Sequence, residues 1–275
     1  MPMSHEFENR LVPVLDEIVN YYGTPFHIYD ETGIRQTGKD FIVAFSRLNG
    51  FREYFAVKAL PNPRILQIMQ DLGFGFDCSS IAELILSRQI GARGEEIMFS
   101  SNNTTAEEFE AADADGGCIL NLDDISLIPK VPQMPETISF RYNPGPRRTG
   151  NSIIGDPSES KYGVAHEQIV HAYKTARALG ARRFGLHTML ISNELNYAYM
   201  VETAAMLLEV VEWVSQEIKI DFDFINLGGG LGIPYQPGQA PLDIDSMAGE
   251  ISDLFSNFKK RNGFVAKFYI ESGRY

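Results

Sequence analysis

The chain has 275 residues, 44% of them apolar and 22% charged, and a formal net charge of -12. That length suits one large domain, and a barrel of alternating strands and helices, typically about 250 residues, is within reach. The acidic balance argues against nucleic acid or an anionic membrane surface as partner, and no apolar run approaches the ~20 residues of a membrane helix.

The first stretch carries Glu6, Glu8, Arg10, Asp16 and Glu17, so it is no secretory signal. Residues 8–22 are predicted to form an amphipathic helix with Leu11, Val14, Leu15, Ile18 and Val19 on one side. Gly23-Thr24-Pro25 ends it, and 26–29 reads as a short strand. Asp30 or Thr32 can cap a helix running through Ile34, Phe41, Ile42 and Phe45. The stretch 55–60 follows as a strand apolar on both faces, as in a parallel sheet covered by helices. Pro61 and Pro63 stop it and force a turn before a helix over 65–71. A second strand spans 74–79, and Ser80 stands three residues before Glu83, a capping-box spacing for a helix to Gln89.

Residues 97–100 and 118–122 read as the third and fourth strands, with Thr105 capping a helix between them. The fifth strand is 137–142. The stretch 143–163 is long, rich in Gly, Pro, Ser and Arg, and without helical period, which marks a functional loop more often than a neutral one. A helix over 166–179, a strand over 183–188, a helix over about 196–218 and a strand over 222–227 come next. Gly228-Gly229-Gly230, a helix over 244–261 and an eighth strand over 265–270 complete the pattern. Eight strands alternating with helices predict an α/β fold, a closed (β/α)8 TIM-type barrel, with a doubly wound open sheet as the rival. The triple glycine follows the seventh strand, so it is no dinucleotide fingerprint. Cys78 and Cys118, far apart and each in a predicted strand, read as reduced interior residues of a cytoplasmic protein. No metal is expected.

In such a barrel, chemistry gathers at the carboxyl ends of the strands. Lys58 lies at one of these ends. It is either a lysine reaching past the strand to solvent, or an amine whose proton affinity is lowered by burial so that it can form a Schiff base. Asp77, Ser80, Arg141, His187 and Glu271 lie at others. Gly228, Gly229 and Gly230 let backbone amides approach an anion, and Gly273 and Arg274 stand at the next strand end, where a guanidinium suits a phosphate. Equally, the glycines are a tight turn, and Glu271 with Arg274 a simple ion pair. A phosphate seat beside an isolated lysine points to a phosphorylated aldehyde cofactor.

Seven segments carry a family resemblance: Gly23 to Tyr29, Phe55 to Ala59, Phe76 to Ser80, Ser160 to Gly163, Gly185 to His187, Leu227 to Gly230, and Glu271 to Arg274. In this order they resemble the diaminopimelate/ornithine decarboxylase family, pyridoxal 5'-phosphate enzymes with an alanine-racemase-like barrel. The resemblance implies that Lys58 carries the cofactor, that Glu271 pairs with its ring nitrogen, and that Gly228, Gly229, Gly230, Gly273 and Arg274 cradle its phosphate. It implies a phosphate contact for Ser192 and places for Asp77, Ser80, Arg141 and His187 beside the cofactor. Met189 stands where the family usually has a ring-stacking histidine, Ile191 where a glycine precedes the serine, and Ser272 where proline is common.

The implied function is decarboxylation of meso-diaminopimelate to L-lysine by a cytoplasmic homodimer acting on a small amino acid. The alternatives are a decarboxylase of carboxynorspermidine or another basic amino acid, a racemase, and a non-catalytic barrel that binds the cofactor or a partner. Family members continue past this length into another helix and a β-domain. The expectation is therefore a barrel over 33–275 truncated after its eighth strand, with 1–32 part of an incomplete β-domain. Such a chain is expected to be weakly active or inactive and to expose apolar surface.

Overall fold

Strand pairing closes on itself. The computed structural model describes residues 3–151, 153 and 155–275. Eight parallel strands form the barrel: β1 (Arg52–Ala56), β2 (Gly75–Cys78), β3 (Gly94–Phe99), β4 (Cys118–Leu122), β5 (Thr137–Asn143), β7 (Arg183–His187), β8 (Phe222–Asn226) and β9 (Lys267–Ser272). Each pairs with the next, and β1 pairs with β9 to close the ring. The two-residue β6 (Val164–Ala165) pairs only with the end of β5, outside the ring. Closure rules out the open doubly wound sheet.

The helices cover the outside: α3 (Glu31–Ala44), α4 (Pro63–Asp71), α5 (Ile81–Gln89), α6 (Ala106–Asp113), α7 (His166–Ala178), α8 (Tyr197–Ile218) and α9 (Ile244–Asn262). Their apolar faces and the outward residues of the strands form the main core. Inside the ring, Tyr54, Met98, Ile119, Phe224 and Tyr269 form a separate buried layer. Gly185 is needed there, because a Cβ would stand 2.0 Å from the Phe224 ring.

Several expectations are corrected. The helix expected over 8–22 is broken into α1 (His5–Leu11) and α2 (Leu15–Tyr22) by a 3-10 turn at Val12–Val14, where Pro13 cannot donate to a helix ladder. Neither helix buries a residue. Residues 26–29 are not a strand: among the described residues they find no sheet partner, and a strand needs one. Asp30 holds the cap position of α3, but its carboxylate takes Arg10 and caps nothing. The first barrel strand ends at Ala56, and Val57–Ala59 is a 3-10 turn, so Lys58 stands on a turn. The eighth strand lies two residues later than expected, which places Glu271 within it. Ser80 makes no capping bond; instead the Glu83 carboxylate accepts from both the Ser79 N–H and the Ser80 hydroxyl. Thr105 and Glu108 do form the full capping box.

Candidate active site

Each barrel strand turns alternate side chains inward. Above the Tyr54 layer the inward residues become polar: Asp77, Asn121, His187, Asn226 and Glu271, all buried. Asn62 caps α4, with its side chain accepting from the Arg64 N–H at 2.9 Å, and Pro63 opens that helix. This brings the chain sharply away after the Lys58 turn and leaves the amine at the barrel mouth. The Lys58 Nζ lies 3.4 Å from Asp77 Oδ2 and 3.3 Å from Ser79 Oγ. Its side chain keeps 60% of its exposure.

Two cavities meet at this amine. One of about 410 Å³ runs to Ser192, Gly229, Gly230, Gly273 and Arg274. Another of about 800 Å³ runs to Arg141, Lys161, Tyr162 and His187. Lys58, Asp77, Met189 and Glu271 line both.

The electrostatics are set by burial against one amine and one imidazole. Burial and the Glu271 charge push the Asp77 carboxyl up to about 7 against the pull of Lys58. Burial would also raise Glu271, but His187, Lys58 and Asn226 outweigh it and hold that carboxyl below its ordinary value. His187 Nε2 lies 3.2 Å from Glu271 Oε2, and Asn226 Nδ2 donates to Glu271 Oε1 at 2.8 Å. The Asp77 carboxylate, foremost, raises the proton affinity of Lys58. This corrects the expected lowering by burial: a half-exposed amine beside a buried acid gains more from the charge than it loses in hydration.

The glycine loop is built by close approach. A Cβ on Gly228 would lie 2.0 Å from the Thr188 carbonyl oxygen, on Gly229 2.6 Å from that of Glu271, and on Gly230 2.4 Å from that of Ile191. The loop is thus wedged between the ends of β7 and β9, and Gly228 and Gly230 also adopt positive φ. Gly229 and Gly230 reach the cavity; Gly228 stands behind them. The Gly229 N–H points to Met189 Sδ at 3.2 Å. Arg274 donates to the Tyr235 hydroxyl. Arg141 is held by Asp123, Asn102 and the Met189 carbonyl. Ser80 lines neither cavity; Ser79 does. Asn226, Asp123 and Ser79 are the site residues that sequence reasoning passed over. Asn226 was visible as the one amide in the apolar run 222–227, and Asp123 as the acid directly after the fourth strand.

A lysine set against a buried acid, on a cavity whose far end offers glycine backbone and a guanidinium, defines a barrel built around a phosphorylated aldehyde. The family model for the pyridoxal binding domain of pyridoxal-dependent decarboxylases matches residues 34–275. The chain belongs to that family. It is 41% identical over 275 residues to protein TabA of Pseudomonas amygdali pv. tabaci, covering 100% of this chain and 64% of that one. It is 31% identical over 264 residues to a diaminopimelate decarboxylase of Thermoplasma acidophilum, covering 95% of this chain and 63% of that one. A crystal structure of diaminopimelate decarboxylase from M. jannaschii in co-complex with L-lysine is similar in fold, with TM-score 0.82 and 25% identity over 94% of this chain and 62% of that one. The chain thus spans under two thirds of these relatives' lengths.

Proposed function

We propose that this barrel holds pyridoxal 5'-phosphate and serves the decarboxylation of a diaminopimelate-like amino acid, with lysine as the product from meso-diaminopimelate. The observation that carries the reading is the Lys58 amine at the junction of the two cavities, 3.4 Å from Asp77. The residues fit the group. A volume of about 410 Å³ lies in the range of cofactor pockets. In its walls and the adjoining ones, Asp77 Oδ1 and His187 Nδ1 are buried and without partners among the described residues.

When bound, the cofactor supplies an aldehyde that condenses with amines and a cationic ring that accepts the electron pair released with carbon dioxide. Arg274 and the Gly229 and Gly230 backbones would bind its phosphate. Glu271, kept ionised by His187, Lys58 and Asn226, would face the ring nitrogen and hold a proton there. Lys58 must shed a proton before it can act as a nucleophile. Asp77 Oδ2 is the adjacent acceptor, and a carboxyl that titrates near 7 is suited to passing that proton in either direction.

The larger cavity supports the substrate class. Arg141 and Lys161 on its wall suit a distal carboxylate, and Glu159 suits a distal ammonium. A basic amino acid without the second carboxylate would leave Lys161 with no carboxylate to meet, Arg141 being already paired with Asp123.

The test is direct. The chain is incubated with pyridoxal 5'-phosphate, reduced with borohydride and mapped by peptide mass, and meso-diaminopimelate turnover is followed by chromatography. We expect the pyridoxyl group on Lys58, a visible absorbance band lost in Lys58→Ala, and lysine as the product of whatever weak turnover this chain supports. Modification elsewhere, or a band that survives Lys58→Ala, refutes the assignment.

A further inference from the structure

One buried acid is used by none of this chemistry. Glu53 is the second residue of β1, 2% exposed, with its side chain turned out of the barrel toward α3 and α4. Its surroundings there are mainly apolar, Phe41, Phe55, Ile65 and Phe74, with Thr37 and Arg274 also on the wall of a cavity of about 400 Å³. The Ser272 N–H donates to Glu53 Oε1 at 2.6 Å, while Oε2 has no partner among the described residues. Burial lifts its carboxyl well above the ordinary value against the Ser272 bond, and the charged groups that add to the lift are Glu271 and Asp77. An acid in an apolar layer with one hydrogen bond costs stability that a leucine would not.

We propose that Glu53 is a positioning residue: through the Ser272 N–H it fixes, from outside the barrel wall, the peptide that joins Glu271 to Gly273 and Arg274. This rests on the reading of the inner cavity as the cofactor seat. Ser272 is the last residue of β9, between Glu271 and Gly273, both of which line the inner cavity. There is no slack at Gly273, where a Cβ would lie 2.5 Å from that of Ala59 and 3.2 Å from that of Ala56. A rotation of the Ser272 peptide therefore presses Gly273 on the turn that carries Lys58 and carries Arg274 with it. One hydrogen bond so fixes three contacts of the cofactor seat at once.

The physical signature of such a pair is asymmetry. Removing one partner orphans the other in an apolar layer, whereas removing both can be close to neutral. Glu53→Leu orphans the Ser272 N–H. Ser272→Pro removes that N–H and orphans the Glu53 carboxyl. The dissociation constant for pyridoxal 5'-phosphate is read from the visible band, with inorganic phosphate as competitor, and fold stability from urea unfolding. We expect each single variant to weaken cofactor and phosphate about tenfold, and the double variant to return within about threefold of wild type. Glu53→Gln keeps the acceptor and should stay within about twofold.

A role in stability alone would move the urea midpoints and leave the affinities unchanged, and that result overturns the proposal. So do single-variant losses that add in the double variant. Should Glu53→Leu not fold, Ser272→Pro and the double variant still make the comparison. A wild-type chain that takes up no cofactor defeats the cofactor reading and this inference together; a wild-type chain that binds it beside variants that bind equally well defeats the inference alone.

Discussion

Lys58 and Asp77 are both shifted upward in proton affinity, the lysine by the acid's charge and the acid by burial and Glu271 in spite of the lysine. The lysine holds its proton more tightly because of the acid, and the acid, buried and beside Glu271, ionises only near 7. Asp77→Asn should therefore lower the proton affinity of the Lys58 amine, measured by titrating a reductively methylated, carbon-13-labelled chain. A lysine that titrates unchanged would remove Asp77 from its role. The acid also leaves a mark on stability. Its folded-state pKa lies above the ordinary 3.8, so the neutral form contributes stability that is complete below about 3.8 and lost as pH rises through about 7. Asparagine keeps the neutral form at every pH. The Asp77→Asn urea midpoint should thus fall less than that of wild type between about pH 4 and pH 7. At this scale the sequence was informative where a charged residue stands in or at the end of an apolar run, as Lys58, Asp77 and Glu271 do. It was silent on Glu53, whose importance depends on a neighbour 219 positions away.

Among the elements, the turns matter more than the strands they follow. Reading 55–60 as a strand located Lys58 correctly along the chain but not its support, because a single 3-10 turn cannot be told from a strand end by alternation. What directs that turn is the Asn62 cap of α4. Asn62→Ala should cost about 1 kcal/mol in urea unfolding and raise the dissociation constant for pyridoxal 5'-phosphate, since the amine loses its fixed departure point. An unchanged affinity would show that the turn holds itself. Along β7, Gly185 gives up its side chain to the Phe224 ring. Gly185→Ala overpacks that layer and should cost about 1–3 kcal/mol with no effect on the site's proton affinities. The helix over 8–22 was misread because its periodicity is real while Pro13 divides it, and the strand at 26–29 because extended backbone without a partner has the same composition as one with it.

For the whole molecule, the rhythm of strand and helix was enough to give the barrel, since eight apolar strands in parallel have one way to cover both their edges. The first residues stand apart from it. The helices α1 and α2 bury nothing, and Val12, Tyr21, Tyr22 and Tyr29 are exposed. Removing residues 1–22 should leave the urea midpoint nearly unchanged; a large drop would mean that this segment packs on the barrel in solution. The layer of Tyr54, Met98, Ile119, Phe224 and Tyr269 lies across the ring beneath the polar residues. It makes the barrel a cup and not a pipe. Whatever enters at the Lys58 rim must go out past the same rim, so an incoming molecule has to wait for the outgoing one, and solvent has no back door through which to reach the floor of the cup.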